Sequence, residues 1–255
     1  ETPMKHRSAE EQHQDWNSRP LRGEELKKYR SNTMRLAYLA QDRPDIGESA
    51  KTLARFMAEP NEGALQLLKR VARYLKFRLQ LKRVFYEQDM PDRIGAYVDS
   101  DHAGCAVTRK STTGLVMRFG RCTVKHSSNL QSTTALSSGE SEYYAIVKAS
   151  QAALGLQALL KDWNIELPVE VLSDSSAARG HVKRRGLGKM RHIQTRYLWV
   201  QERVGEGHIT ILPIAGAKNT PDILTKCVDK KTLTRHLETM GFVFDDAHER
   251  QKSLL

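Results

Sequence analysis

The stretch IGAYVDSDHAG, residues 94–104, opens the part of the chain that decides the fold. Ile94 to Asp99 alternates its side chains at period two, which predicts a strand that stops on an acid. Two more such runs follow, Gly114 to Phe119 and Cys122 to Ser127. The Gly120-Arg121 step between them predicts a hairpin turn. The period then changes. From Ser138 to Asp162 the apolar residues Ile146, Ala149, Ala153, Leu156 and Leu160 recur at steps of three and four, which predicts one long helix. Beyond it come a strand at Val169–Ser173, a short helix starting at Asp174, a helix from Gln194 to Val204 and a strand at Ile209–Pro213. Helical segments at Pro221–Val228 and Lys231–Met240 complete the pattern. Strands separated by helices predict an α/β fold with a mixed sheet.

Upstream, the pattern from Glu24 to Arg78 is helical. Leu26, Tyr29, Met34, Tyr38 and Leu39 form one face, and Phe56, Leu65, Leu68, Val71, Tyr74 and Leu75 another. Arg43-Pro44-Asp45 and Pro60-Asn61-Glu62 interrupt it, because proline keeps the preceding residue out of the helical region. Three helices are expected here. Residues 1–22 show no periodicity and read as a polar lead-in. Leu81 to Tyr86 reads as a further strand.

The 255 residues carry 41 Lys and Arg against 30 Asp and Glu. The net charge of +11 is spread along the chain, +5 over residues 1–90 and +6 over the rest. A basic folded protein favours a polyanion as partner, nucleic acid first. No apolar stretch is long enough to span a membrane, the polar N-terminal residues read without a signal peptide, and the cysteine usage makes an intracellular compartment the expectation. The chain starts at a glutamate, so a fragment or a processed piece is expected. Three cysteines without a CxxC pair argue against a disulfide scaffold or a cysteine zinc module.

Four acids stand where strands end or helices begin: Asp99, Glu142, Asp174 and Asp222. Open α/β sheets place ligands at the carboxyl ends of their strands, so such acids can converge. A cluster of carboxylates suits hard divalent cations, Mg²⁺ or Mn²⁺. Taken singly, each acid reads first as a helix cap or a surface residue. Asp101 and Glu140 compete with Asp99 and Glu142. Asp101 shares a strand face with Asp99. Glu140 and Glu142 point about 200° apart on a helix. Glu142 leads into the apolar face, so Glu140 is expected to face solvent or cap the helix.

A basic run follows the third acid: Arg179, Lys183, Arg184, Arg185, Lys189 and Arg191, with no acid from Ser175 to Gln201. Arginine forks and lysine ammonium groups can track a phosphate backbone. Ser127, Ser128, Asn129, Gln131, Ser132 and Thr133 offer short polar groups beside the candidate site, against a plain polar strand-to-helix loop. Trp163 and Trp199 read as packing residues.

The wording around the acids is specific. It comprises Ala96-Tyr97-Val98-Asp99-Ser100-Asp101, Ser111-Thr112-Thr113-Gly114, Leu136-Ser137-Ser138-Gly139-Glu140-Ser141-Glu142-Tyr143-Tyr144-Ala145, Ser173-Asp174-Ser175, Arg191-His192-Ile193 and Pro221-Asp222-Ile223-Leu224-Thr225. In this order it resembles the ribonuclease H domain of the Pol polyprotein of copia-type LTR retrotransposons. Tyr29-Arg30-Ser31, Arg43-Pro44-Asp45-Ile46, Arg55-Phe56-Met57 and Lys69-Arg70-Val71-Ala72-Arg73-Tyr74 resemble the C-terminal part of the adjoining reverse transcriptase. The resemblance covers about residues 25–228.

The resemblance implies a ribonuclease H-like mixed five-stranded sheet flanked by helices, preceded by a small helical segment. It implies a lead-in at 1–22, a reverse-transcriptase remnant at 23–90, the ribonuclease H domain at 91–228 and a C-terminal helix and tail at 229–255. It implies hydrolysis of the RNA strand of an RNA–DNA hybrid, with two Mg²⁺ or Mn²⁺ ions held by Asp99, Glu142, Asp174 and Asp222. The partners implied are the hybrid and the remainder of a Pol polyprotein or reverse transcriptase, with no membrane. The location implied is cytoplasmic or nuclear, virus-like particles included.

Several positions depart from the family pattern. The polymerase Tyr-x-Asp-Asp turn is absent, His102 replaces an aromatic, and Gln194 replaces an acid. The loop Ile214–Thr220 lacks the histidine that cellular ribonucleases H often carry. His192 is an auxiliary candidate in its place, against a helix-start histidine bonded to the core. Competing functions are a non-catalytic nucleic-acid-binding remnant, a supporting subdomain of a larger reverse transcriptase, and an integrase-like nuclease, which the Asp, Glu, Asp, Asp order disfavours.

Overall fold

The structure is a computed structural model that describes residues 2–188 and 191–245. In chain order its elements are α1 (Ala9–Trp16), α2 (Gly23–Leu39), α3 (Gly47–Ala54), α4 (Glu62–Phe77), β1 (Leu81–Arg83), β2 (Ile94–Asp101), β3 (Thr112–Phe119), β4 (Cys122–Leu130), α5 (Ser138–Lys161), β5 (Val169–Ser173), α6 (Ser176–Val182), α7 (Trp199–Gly205), β6 (Ile209–Pro213), α8 (Asp222–Thr225), α9 (Lys230–Thr239) and β7 (Phe242–Phe244). The chain divides into two units. Among the described residues, one comprises residues 2–85, 105–108 and 226–245, the other residues 86–104, 109–188 and 191–225.

The first unit is built on α2, α3 and α4, separated where the two prolines predict. Their apolar faces bury Tyr29, Ile46, Leu53, Phe56, Leu68 and Val71 in one core. A buried ion pair crosses this core. Arg43 Nη2 lies 2.7 Å from Asp45 Oδ2, and the Tyr74 hydroxyl donates to the same oxygen at 2.9 Å. Arg43 also donates to the carbonyls of Arg78 and Leu79, which satisfies groups left open beyond the end of α4. The lead-in holds a helix that the sequence reading lacked. Ser8 caps α1 and Glu11 returns the bond to the Ser8 N–H, a reciprocal box. The expected strand at 81–86 is shorter, Leu81–Arg83. It pairs antiparallel with β7, which the sequence reading placed in a helix and tail.

The second unit is a five-stranded mixed sheet in the order β4-β3-β2-β5-β6. β2, β3 and β4 pair antiparallel, while β2–β5 and β5–β6 are parallel. The predicted hairpin is present, with Gly120 at φ +59°, a left-handed conformation that glycine adopts at no steric cost. The long helix α5 covers the sheet. Ile146, Ala149, Ala153 and Leu160 pack against Ile94, Ala96, Val98 and Val171. Trp163, expected to pack, is instead 66% exposed in the turn after α5. Gly114 has a positional reason: a Cβ there would meet the Pro221 carbonyl at 2.7 Å. Only glycine lets the start of α8 lie this close to β3.

Candidate active site

The sheet register brings the first and third acids together. Tyr97 of β2 pairs with Leu172 of parallel β5, so Asp99 and Asp174, two residues further along each strand, reach the same level. β2 continues to Asp101, two residues beyond the expected end. Glu142 arrives from the second turn of α5. Carboxylate oxygens of Asp99, Glu142 and Asp174 lie within 4.8 Å of one another. Asp99 and Glu142 are buried, and Asp174 is partly exposed.

Named donors hold these groups. The Thr225 hydroxyl donates to Asp99 Oδ2. The Ser100 N–H donates to Glu142 Oε1 at 3.2 Å. Asn219, fully buried, donates its side-chain amide to the Val98 carbonyl at 2.9 Å and fixes the loop before α8. Gln131 Nε2 lies within 3.2 Å of Ser100 Oγ, Thr113 Oγ1 and the Ser141 carbonyl, tying β2, β3 and α5 together beside the acids. Sequence reasoning assigned no role to Thr225 or Asn219, and it read Gln131 as a polar group beside the site rather than as a tie between elements. Thr225 carried a signal, three residues after Asp222 on one short helix.

Asp222 opens α8 as expected, but its carboxylate is not part of the group of three. Its backbone carbonyl accepts from Thr225, the same hydroxyl that reaches Asp99. Asp101 is turned elsewhere: its Oδ1 accepts from the Thr112 N–H, and a Cβ on Gly104 would collide with its carboxylate.

Glu140 is a correction. The structure buries it to 1% exposure instead of leaving it in solvent, while its place in the first turn of α5, accepting from the Leu136 N–H, agrees with the capping alternative. Tyr144 donates its hydroxyl to Oε1 at 2.7 Å, the Leu136 N–H donates to Oε2 at 2.9 Å, and His192 Nε2 stands 2.8 Å from Oε2. Burial pushes the Glu140 carboxyl up, but these three partners outweigh it and hold it below the usual range. His192, itself partly exposed, is thereby tied to the buried Glu140 carboxylate.

The basic run is divided. Lys183, Arg184, Arg185 and Arg191 are exposed. Arg179 instead turns back and donates to the Ser173 carbonyl at 2.6 Å. Lys189 lies outside the described residues. On β4, Ser127 is partly buried opposite Leu115, and Asn129 is exposed opposite Thr113. Asn129, Gln131, Ser132, Thr133, Tyr144 and Tyr197 line part of a cavity of about 330 Å³.

No protein-family model matches the chain. It is similar to the retrovirus-related Pol polyprotein from transposon TNT 1-94 of Nicotiana tabacum, 27% identical over 201 residues, 78% of this chain and 15% of that protein. It is similar to the corresponding polyprotein from transposon RE1 of Arabidopsis thaliana, 28% identical over 216 residues, 84% of this chain and 15% of that protein. The chain thus spans 15% of the length of these relatives. Among solved structures, LC11-RNase H1 is 18% identical with a TM-score of 0.36, covering 57% of this chain and 99% of that one.

Proposed function

Because the chain belongs to the retrovirus-related Pol polyproteins of copia-type transposons, we propose that it is their metal-dependent ribonuclease H, hydrolysing the RNA strand of an RNA–DNA hybrid. The observation that carries this reading is the convergence of Asp99, Glu142 and Asp174 from three separate elements.

Three carboxylates this close repel one another, and a hard cation offsets that repulsion with oxygen ligands. The residues present therefore fit Mg²⁺ or Mn²⁺, with Asp99, Glu142 and Asp174 as ligands and Asp222 as a fourth acid for a second ion. Bound there, two such ions supply an activated water and stabilisation of the leaving oxygen. The chain's own groups do the positioning. Thr225 orients the Asp99 carboxylate, and the Ser100 N–H orients Glu142. Lys183, Arg184, Arg185 and Arg191 grip phosphates of the hybrid. Ser127 and Asn129 offer polar contacts to the sugar edge, where a ribose 2′-hydroxyl distinguishes RNA. Residues 23–90 serve as the remnant of the adjoining reverse transcriptase, and 91–228 as the nuclease domain. The partner in the cell is the rest of the polyprotein, acting inside the cell. No helix among the described residues is long and apolar enough to cross a membrane.

The test is cleavage of an RNA–DNA hybrid labelled on the RNA strand, with Mg²⁺, with Mn²⁺ and with EDTA. Cleavage of the RNA strand alone, abolished by EDTA and by Asp99→Asn, is expected. Hybrid binding with no cleavage under either metal would reduce the chain to a non-catalytic remnant.

A further inference from the structure

The exposed cations Lys183, Arg184 and Arg185 sit on a turn held by one buried side chain from another helix. Gln201 of α7 is 7% exposed. Its Oε1 accepts from the Gly186 N–H at 2.8 Å. Its Nε2 donates to the carbonyls of Gly186 and His181, each at 3.1 Å. The amide thus satisfies both backbone polar groups of Gly186, as a neighbouring strand would. Gly186 itself stands at φ +80°, where glycine alone is unstrained. Leu187 packs against the core one residue later. Lys183, Arg184 and Arg185, between α6 and these two anchors, are exposed.

The geometry points to Gln201 as a positioning residue that pre-shapes this basic turn for the phosphate backbone of the substrate. The inference rests on the reading of the basic turn as a hybrid grip. A turn already ordered before binding loses less conformational freedom on binding, so its cations bind more tightly for the same number of contacts. Removing Gln201 leaves every cation in place but unties the turn. The number of phosphates contacted, and so the dependence on salt, stays constant while affinity falls at every salt concentration.

The experiment uses the full chain and a labelled RNA–DNA hybrid. Gln201→Leu keeps the volume and removes all three bonds. Gly186→Ala is a second, independent way to untie the turn, because its Cβ would meet nothing within 4 Å while its backbone becomes strained. It keeps the test open should Gln201→Leu fold poorly. Both are expected to raise Kd and KM about five- to tenfold, with kcat within about twofold and the salt slope within about half a unit. Amide exchange across residues 183–188 should accelerate. An Arg184→Ala, Arg185→Ala double variant should instead flatten the salt slope by about 0.9 per lost phosphate contact. Wild-type affinity in both untied variants, with the double variant still flattening the slope, overturns the role of Gln201 and leaves the proposed function standing. A double variant with wild-type affinity and slope overturns both. A fall in kcat at unchanged KM also overturns the positioning role.

Discussion

Asp45 and the trio Asp99, Glu142 and Asp174 are acids in two regions that treat charge in opposite ways. Asp45 faces a guanidinium at 2.7 Å and a tyrosine hydroxyl at 2.9 Å, inside a core of helices. Its negative charge is matched where it stands. Burial and the charge on Asp45 together push the Tyr74 hydroxyl far above its ordinary value, so it remains a donor at any working pH. In the sheet unit, three carboxylates are gathered within 4.8 Å instead. Gathering like charges costs stability. The first arrangement matches a charge where it stands; the second gathers like charges, as the proposed metal site requires. Residue type alone does not separate the two; their surroundings do.

The largest effect that would break this contrast concerns cleavage. Asp99→Asn keeps the shape and the Thr225 bond but removes one of the three charges. Hybrid cleavage should fall at least about 1000-fold, or about 4 kcal/mol of barrier. Thermal stability should stay level or rise, because repulsion is relieved. A large loss of stability would mean that Asp99, like Asp45, is matched by the fold.

Asp45→Asn should do the reverse. It leaves the Arg43 guanidinium buried beside a neutral amide, and breaking a buried pair by one partner costs about 3–5 kcal/mol. Urea denaturation reads this directly. Once the sample is fully folded, hybrid cleavage should be unchanged. A cost below about 1 kcal/mol would show that this pair behaves like an exposed one.

The metal itself sharpens the comparison. If the trio awaits a cation, Mn²⁺ at one hundred times its Kd should stabilise the folded chain by about 2.7 kcal/mol. Calorimetry with and without EDTA measures it. Asp99→Asn should lose most of the shift and Asp45→Asn should keep it, since Asp45 already has its counter-charge. Equal shifts in all three proteins would place the ion elsewhere.

What could be read in advance follows from the range of the interactions. The strands around Asp99 and Asp174 and the whole of α5 announce themselves by apolar periodicity, which is local. The pairing that unites the two aspartates follows from the order of these elements. α1 has no buried residue, so periodicity was silent, although Ser8 and Glu11 spell its cap. β7 is three residues long and exists through its partner β1, far away in sequence. Glu140 was misjudged because its partner His192 lies 52 positions away. The helical wheel places Glu140 off the apolar face but says nothing of a loop that returns to cover it.

Glu140 yields the smallest prediction, set by pH. Its carboxylate is stabilised in the folded state by Tyr144, the Leu136 N–H and His192, so its folded pKa lies below the ordinary value. A depressed folded pKa contributes stability that is complete above the unfolded value, about 4.3, and is lost as pH falls through the folded one. Glu140→Gln keeps the size and one acceptor oxygen but not the charge. The substitution should cost about 1 kcal/mol at pH 7, because charge-assisted bonds weaken to neutral ones. By pH 3 the unfolded chain has taken up its proton, so part of that contribution is gone and the gap between the two proteins should narrow. Urea midpoints of both proteins at pH 7 and pH 3 test this. Cleavage should survive in Glu140→Gln and vanish in Glu142→Gln, the neighbour two residues on that points at the trio. A gap equally wide at pH 3 would show that the Glu140 charge contributes nothing and that shape alone matters. If Glu140→Gln were the variant that lost cleavage, the trio would have to be redrawn around Glu140, and its tie to His192 would become part of the chemistry.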